Sequence, residues 1–343
     1  MKTSKRFMAA LLAGVMSVGM LAGCGSSGSG NAAGSASGGS SSNGDKGEIA
    51  LIPMTLDNEF YVSMENGAKE KCDELGYGLV CQSGTSHGDA AEQLQLMETM
   101  IQKGVKAIMI TPCSSTGITA GIKKANDAGI PVIILDTEID RDALAEEGAE
   151  TLTYIGSDNY YGGQVAGEYA KKIAEEKGKT LKVAILEGVA GQENMELRAQ
   201  GFMDAAGDSV EIVAEQNADS DYNKGYDAAT NILTANKDVD FFYCCNDLMA
   251  LGALKAAQEA GLADQIDVLG FDGISDAMNS VKEGGLVGTV AQKPADMAIY
   301  GVEAADAALN DKSVEETINT DLEVAEKSNI DEWIEYVTKY AGT

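Results

Sequence analysis

Residues 130–136 read Ile-Pro-Val-Ile-Ile-Leu-Asp. After the proline, four branched apolar side chains follow one another without a polar interruption. A strand with one face in water would alternate, so this run is a strand buried on both faces. The helical stretch before it, 117–128, is closed by Gly129, and a carboxylate, Asp136, stands where the run ends.

The same unit recurs in both directions. Apolar runs lie at 48–54, 77–82, 107–112, 131–136 and 154–156, and a second series at 182–188, 211–216, 240–246, 268–272 and 287–292. Helical periods lie between them at 60–75, 90–103, 117–128 and 163–176, then at 192–206, 223–235, 248–260 and 294–309. Gly76, Gly104, Gly129, Gly178, Gly207 and Gly261 close several of these helices. Two series of five runs alternating with helices predict an α/β protein of two similar three-layer lobes, each a parallel sheet covered on both faces. A length of 343 residues, with 44% apolar and 23% charged, agrees with two such bodies.

The chain's first residues read as an address. Lys2, Lys5 and Arg6 precede an apolar run, 7–21, which is short for a membrane span, and Leu21-Ala22-Gly23-Cys24 resembles a bacterial lipobox. Residues 1–23 are expected to be a lipoprotein signal peptide and Cys24 the lipidated residue, an ordinary secretory signal or uncleaved anchor being the alternative. Residues 24–45 are a Gly/Ser-rich tether, about 20 residues of flexible coil spanning roughly 25 Å. This places the protein on the extracytoplasmic face of a cell membrane, held by lipid.

Several functions are excluded by composition. Lys plus Arg total 25 against 54 Asp plus Glu, a net charge of −29 that repels nucleic acid. The single histidine, His87, removes His-based zinc sites and most Ser-His or Cys-His catalysis. No CxxC pair exists, so no metal site is expected, and no cofactor. Gly178-Lys179-Thr180 has Ile173 where a phosphate loop needs its first glycine, so it reads as a helix-end turn. Cys72, Cys81, Cys113, Cys244 and Cys245 read as small buried apolar residues, with a Cys72–Cys81 bridge left open.

Parallel α/β sheets bind ligands beyond the carboxyl ends of their strands. The residues there are Asp57-Asn58-Glu59-Phe60-Tyr61, Asp136, Glu187-Gly188, Asn246-Asp247, Asp272-Gly273 and Gln292. Carboxylates and amides form paired hydrogen bonds with neighbouring hydroxyls, and aromatic faces cover the C–H side of a sugar ring. As alternatives, Phe60 and Tyr61 are core staples, and Asp136 and Asp272 strand-end caps.

From Glu48 onward the chain resembles the ribose-binding protein family, with the type I periplasmic binding protein fold. The resemblance rests on Thr55-Leu56-Asp57-Asn58-Glu59-Phe60-Tyr61, on residues 130–136, on Ser157-Asp158-Asn159 with Gly162-Gly163, and on Glu187-Gly188 to Gly191. It extends through Asn246-Asp247-Leu248-Met249-Ala250-Leu251-Gly252, Gly270-Phe271-Asp272-Gly273 and Thr289-Val290-Ala291-Gln292. Asp136-Thr137-Glu138-Ile139-Asp140 is closer to the allose-binding branch. The resemblance implies ligand-binding roles for Asn58, Phe60, Tyr61, Asp136, Arg198, Asn246, Asp272 and Gln292. It also implies a three-crossing hinge near Ser157, Gln292 and Thr320. The lobes would be 46–157 plus 293–320 and 158–292 plus 321–343. Thr137, Ser220 and Met54 stand where the ribose pattern has an arginine, an aromatic and a serine, so the pattern does not carry ribose as the guest.

The function implied is a monomeric solute-binding lipoprotein of an ABC importer, not an enzyme, that delivers a monosaccharide or polyol to a permease. A sugar-sensing surface receptor for chemotaxis or a sensor kinase shares every one of these features. A secreted glycosidase using Asp136 and Asp272 is the enzymatic alternative; in sequence, neither aspartate has an obvious neighbour that would desolvate it.

Overall fold

The computed structural model describes residues 46–85 and 89–341. The signal segment, Cys24, the tether and His87 lie outside the described residues. Ten strands match the ten apolar runs. They are β1 (Glu48–Ile52), β2 (Gly78–Cys81), β3 (Ala107–Ile110), β4 (Val132–Leu135) and β5 (Thr153–Gly156), then β6 (Leu181–Glu187), β7 (Val210–Asn217), β8 (Phe241–Cys244), β9 (Asp267–Asp272) and β10 (Gly288–Ala291). Two short strands follow, β11 (Thr317–Asn319) and β12 (Glu323–Ala325). The strands form two sheets of one wiring, β11-β5-β4-β3-β1-β2 and β12-β10-β9-β8-β6-β7. Every pairing is parallel except β10 with β12.

The uninterrupted apolar runs have a simple cause. In the first sheet Ile49, Leu51, Met109, Ile133 and Leu135 enter one core, while Ala50, Ile52, Ile108, Ile110, Val132 and Ile134 enter another. Alternate side chains point to opposite faces, and both faces are covered by helices.

The helices before the first crossing are α1 (Glu59–Leu75), α2 (Ala90–Lys103), α3 (Thr119–Asp127) and α4 (Arg141–Glu147). Those after it are α5 (Asn159–Lys177), α6 (Glu193–Ala206), α7 (Tyr222–Ala235), α8 (Asp247–Glu259), α9 (Ser275–Glu283), α10 (Pro294–Leu309) and α11 (Ile330–Tyr340). Helix α10 packs on α1, bringing the chain back to the first sheet, while α5 packs on α6 and α7 on α8. The α5–α6 contact needs glycine: a Cβ on Gly163 would overlap the Arg198 carbonyl, and one on Gly201 the Tyr160 carbonyl. That close approach fixes the height of α6, the helix that carries Arg198.

The chain passes between the sheets three times, after β5, after β10 and between β11 and β12. The Ser157 and Thr320 hydroxyls, from two crossings, lie 3.3 Å apart and share a hydrogen bond. Gly178 ends α5 in the left-handed conformation, a helix-end turn. The five described cysteines are free thiols; Cys72, Cys113, Cys244 and Cys245 are buried and Cys81 partly so. Among the described residues, no helix is long and apolar enough to cross a membrane, and no cluster of His, Cys, Asp and Glu could hold a metal ion.

Candidate functional site

At the carboxyl ends of the strands, both sheets face one small chamber. It is lined from the first half by Met54, Asn58, Phe60, Tyr61 and Asp136, and from the second by Gln192, Asn194, Met195, Arg198, Ser220, Asn246 and Asp272. Seven of the eight residues singled out in the sequence meet there. The eighth, Gln292, stands behind Asp272, where its Nε2 donates to Asp272 Oδ1 at 2.8 Å.

Local structure explains how each side chain is presented. Asn58 and Asn246 cap α1 and α8: Asn58 Oδ1 accepts from Phe60 N at 3.0 Å, and Asn246 Oδ1 from Met249 N at 2.9 Å. Capping takes the amide oxygen and leaves the NH2 group to the chamber, where that of Asn246 donates to Ser220 O at 3.2 Å. Phe60 and Tyr61 meet edge to face at 5.3 Å. They belong to the core cluster and line the chamber, so the core-staple and site readings describe the same two rings.

Asp136 and Asp272 are non-glycine residues at positive φ, +65° and +115°. Asp219 at +49° and Ser220 at +57° share that region, so four of the five such residues described gather at this cleft. Each costs on the order of 1–3 kcal/mol, strain that persists where surrounding contacts over-determine it. For Asp136 those contacts include the Tyr154 hydroxyl, which donates to its carbonyl at 2.9 Å.

Arg198 is 1% exposed and donates three hydrogen bonds. Its Nε donates to Asn159 Oδ1 at 2.8 Å; Nη1 donates to Cys245 O at 2.7 Å and to Asp272 Oδ1 at 3.1 Å. The guanidinium lies 3.8 Å from the centre of the Phe271 ring. Burial by itself would lower its pKa, but the Asp272 and Asp136 carboxylates outweigh burial and raise it.

The expectation that nothing desolvates the two aspartates is corrected here. Burial pushes the Asp136 carboxyl up to about 7, against the pull of Arg198, and burial likewise raises Asp272 despite Arg198 and Gln292. The strands and helix ends that enclose them are remote in sequence, so no adjacent residue announced it. Asp247, just outside the chamber, is also raised by burial, to about 8, although it accepts from Gly273 N, Ile274 N and Thr289 Oγ1.

Sequence reading missed Gln192 and Asn194. They sit at the entry to α6, several residues past the end of β6, rather than directly after a strand. Gln192 Nε2 reaches Cys113 O at 3.5 Å and Asn194 Nδ2 reaches Thr137 Oγ1 at 3.4 Å, both across the cleft. A third bridge joins Glu59 on α1 to the start of α9: Ser275 Oγ donates to Glu59 Oε1 at 2.5 Å, and Ser275 N to both carboxylate oxygens at 3.2 Å. So closed, the chamber has about 20 Å³ of room, the space of about one water molecule.

Comparisons with known proteins agree with this geometry. A model of the periplasmic binding protein domain matches residues 49–313. The ribose import binding protein of Salmonella typhimurium is 40% identical over 283 residues, covering 82% of this chain and 91% of its own. The D-allose-binding periplasmic protein of Escherichia coli is 36% identical over 259 residues, 75% of this chain and 82% of its own. The solved periplasmic solute-binding protein of Actinobacillus succinogenes with bound D-allose superposes with a TM-score of 0.78 at 36% identity, covering 83% of this chain and 99% of that one. With that extent of likeness over both sheets, the chain belongs to the ribose-binding-protein-like family of periplasmic sugar-binding proteins.

Proposed function

We propose that the protein is the extracytoplasmic solute-binding component of an ABC importer, taking a monosaccharide or related polyol between its halves and passing it to a permease. The observation that carries this is the meeting of Asp136 and Asp272, one from each sheet, in one chamber with a buried arginine that is paired with Asp272. Hydroxyl groups donate to such carboxylates, Asn58 and Asn246 offer N–H donors, and Phe60 and Tyr61 offer apolar ring surface.

In this reading the halves are 46–157 plus 293–320 and 158–292 plus 321–343. The bridges of Gln192, Asn194 and Glu59 close over the chamber, so a guest enters only when they part, and the halves then settle around it with the chamber widened. The guest favours closure only through contacts made with both halves. Cys24 would carry the lipid that holds the chain, as a monomer, at the membrane.

The test is calorimetry of the purified protein against D-ribose, D-allose, other pentoses and hexoses, and inositol, with the sugar recovered and identified afterwards. Saturable binding of an unchanged sugar supports the reading. A hydrolysed or isomerised product would favour the glycosidase alternative, in which Asp136, raised to about 7, would be the acid. Asp272→Ala should then weaken binding by about 2–4 kcal/mol, since a buried hydroxyl and Arg198 both lose their partner.

A further inference from the structure

Outside the chamber, between the two halves, lies a second and much larger space of about 440 Å³. Thr55, Asp57 and Thr85 line it from the first half; Val189, Asp219, Asp221, Lys224 and Leu248 line it from the second. Asn58 and Ser220 line both spaces, so the two meet at these side chains. No residue of the three crossings lines it.

Ser220 is built to stand at that junction. It is 2% exposed, and its hydroxyl oxygen has no hydrogen-bond partner, a costly state for a buried polar atom. The backbone holding it is strained and firmly tied. Asp219 and Ser220 are consecutive left-handed residues. Asn217 Oδ1 accepts from Asp219 N at 3.1 Å, Asn246 Nδ2 donates to Ser220 O at 3.2 Å, and Asp221 caps α7 by accepting from Lys224 N at 2.9 Å. The loop therefore holds a small, unpartnered hydroxyl at the boundary between chamber and outer space.

Building on the sugar-binding reading, we infer that the guest is a substituted sugar: one ring in the chamber, and a second polar unit linked to it that passes Ser220 into the outer space. The Ser220 hydroxyl would bond to the linkage or to a hydroxyl beside it. Both halves line the outer space, so a second unit there would add contacts present only in the closed state. The charges select its type. Three carboxylates, Asp57, Asp219 and Asp221, face one ammonium, Lys224, which is already paired with Asp219 at 2.6 Å. That surplus disfavours phosphate and carboxylate groups and suits hydroxyls or an amine. The guest class is thus a glycoside or short oligosaccharide without negative charge.

The experiment compares, on the full protein, D-ribose and D-allose with their methyl glycosides, with the neutral disaccharides maltose, cellobiose and lactose, and with D-allose 6-phosphate. The expected result is at least one substituted sugar binding about tenfold or more tighter than either monosaccharide, with the phosphate not bound. Val189→Trp fills the outer space from the second half and Asp57→Trp from the first; each should remove that advantage while the monosaccharide affinities stay within about threefold. Asp57 is exposed, so its variant keeps the test open if the other misfolds. Monosaccharide binding with every substituted sugar equal or weaker overturns the inference and leaves the sugar-binding reading standing. Failure of every sugar overturns both.

Discussion

Replacing Arg198 with methionine keeps much of the side chain's volume and removes its charge. The wild-type guanidinium donates three hydrogen bonds and is the counter-charge for two buried carboxylates. Breaking a buried ion pair from one side costs about 3–5 kcal/mol, because the other charge is left uncompensated. For a body of this size each kcal/mol lowers the melting temperature by about 2 °C, so Arg198→Met should melt about 6–10 °C below wild type near pH 8. Near pH 5 the outcome should differ. Asp136, at about 7 even with Arg198 present, is protonated there, so one of the two charges that Arg198 balances is gone while its contact with Asp272 remains. What persists is the loss of the partners at Asn159, Cys245 and Asp272, so the drop should be smaller than at pH 8 by about 1–2 kcal/mol, or roughly 2–4 °C. Melting followed by circular dichroism at both pH values, without ligand, decides it. An equal drop at both would refute the electrostatic account and leave Arg198 as a hydrogen-bonding and ring-packing residue only.

Wild-type stability should itself fall with rising pH. Asp136 at about 7 and Asp247 at about 8 lie above their unfolded values, so the native state holds those protons, and the stability present at about pH 4 is lost as pH climbs through 7 and 8; urea midpoints should show the slope, flatter in Asp247→Asn, and a rise with pH would contradict it. Glu59→Ala removes the bridge to Ser275 and should weaken sugar binding about three- to tenfold by calorimetry, with little change in melting temperature. Unchanged affinity would mean that this bridge does not contribute to closure. Gly201→Ala forces a methyl onto the Tyr160 carbonyl and should destabilise by about 2–3 kcal/mol, measured as a lower urea midpoint; a neutral result would show that α5 and α6 can separate without cost.

The apolar runs located all ten principal strands, the inner ones because burial on both faces writes itself as unbroken apolar sequence, and the edge strands β2 and β7 from half-buried runs. The elements that escaped carry no such signature. Strands β11 and β12 are three residues each, with Ala325 the one buried side chain of the six, and α4 buries only Leu144, although Asp140 and Gly148 cap it at its two ends. Helices α9 and α11, which do bury apolar side chains, were not among the helical stretches read from the sequence. The site was legible where polar residues directly follow a strand, as at Asp136, Asn246 and Asp272. Gln192 and Asn194 come from a helix entry whose approach to the cleft depends on the glycine contact between α5 and α6. Nor does composition reveal the left-handed backbone at Ser220, since glycine and asparagine are its usual markers.

Asp136 follows the fourth strand of one sheet and Asp272 ends the fourth strand of the other, both on backbone that glycine would occupy at ease. Glycine at either turn would release strain of about 1–3 kcal/mol, yet at the second it would also strip Arg198 of its buried counter-charge, a loss of about 3–5 kcal/mol. At that turn durability and grip therefore coincide, because the acid that a guest would need is one the fold cannot shed without cost.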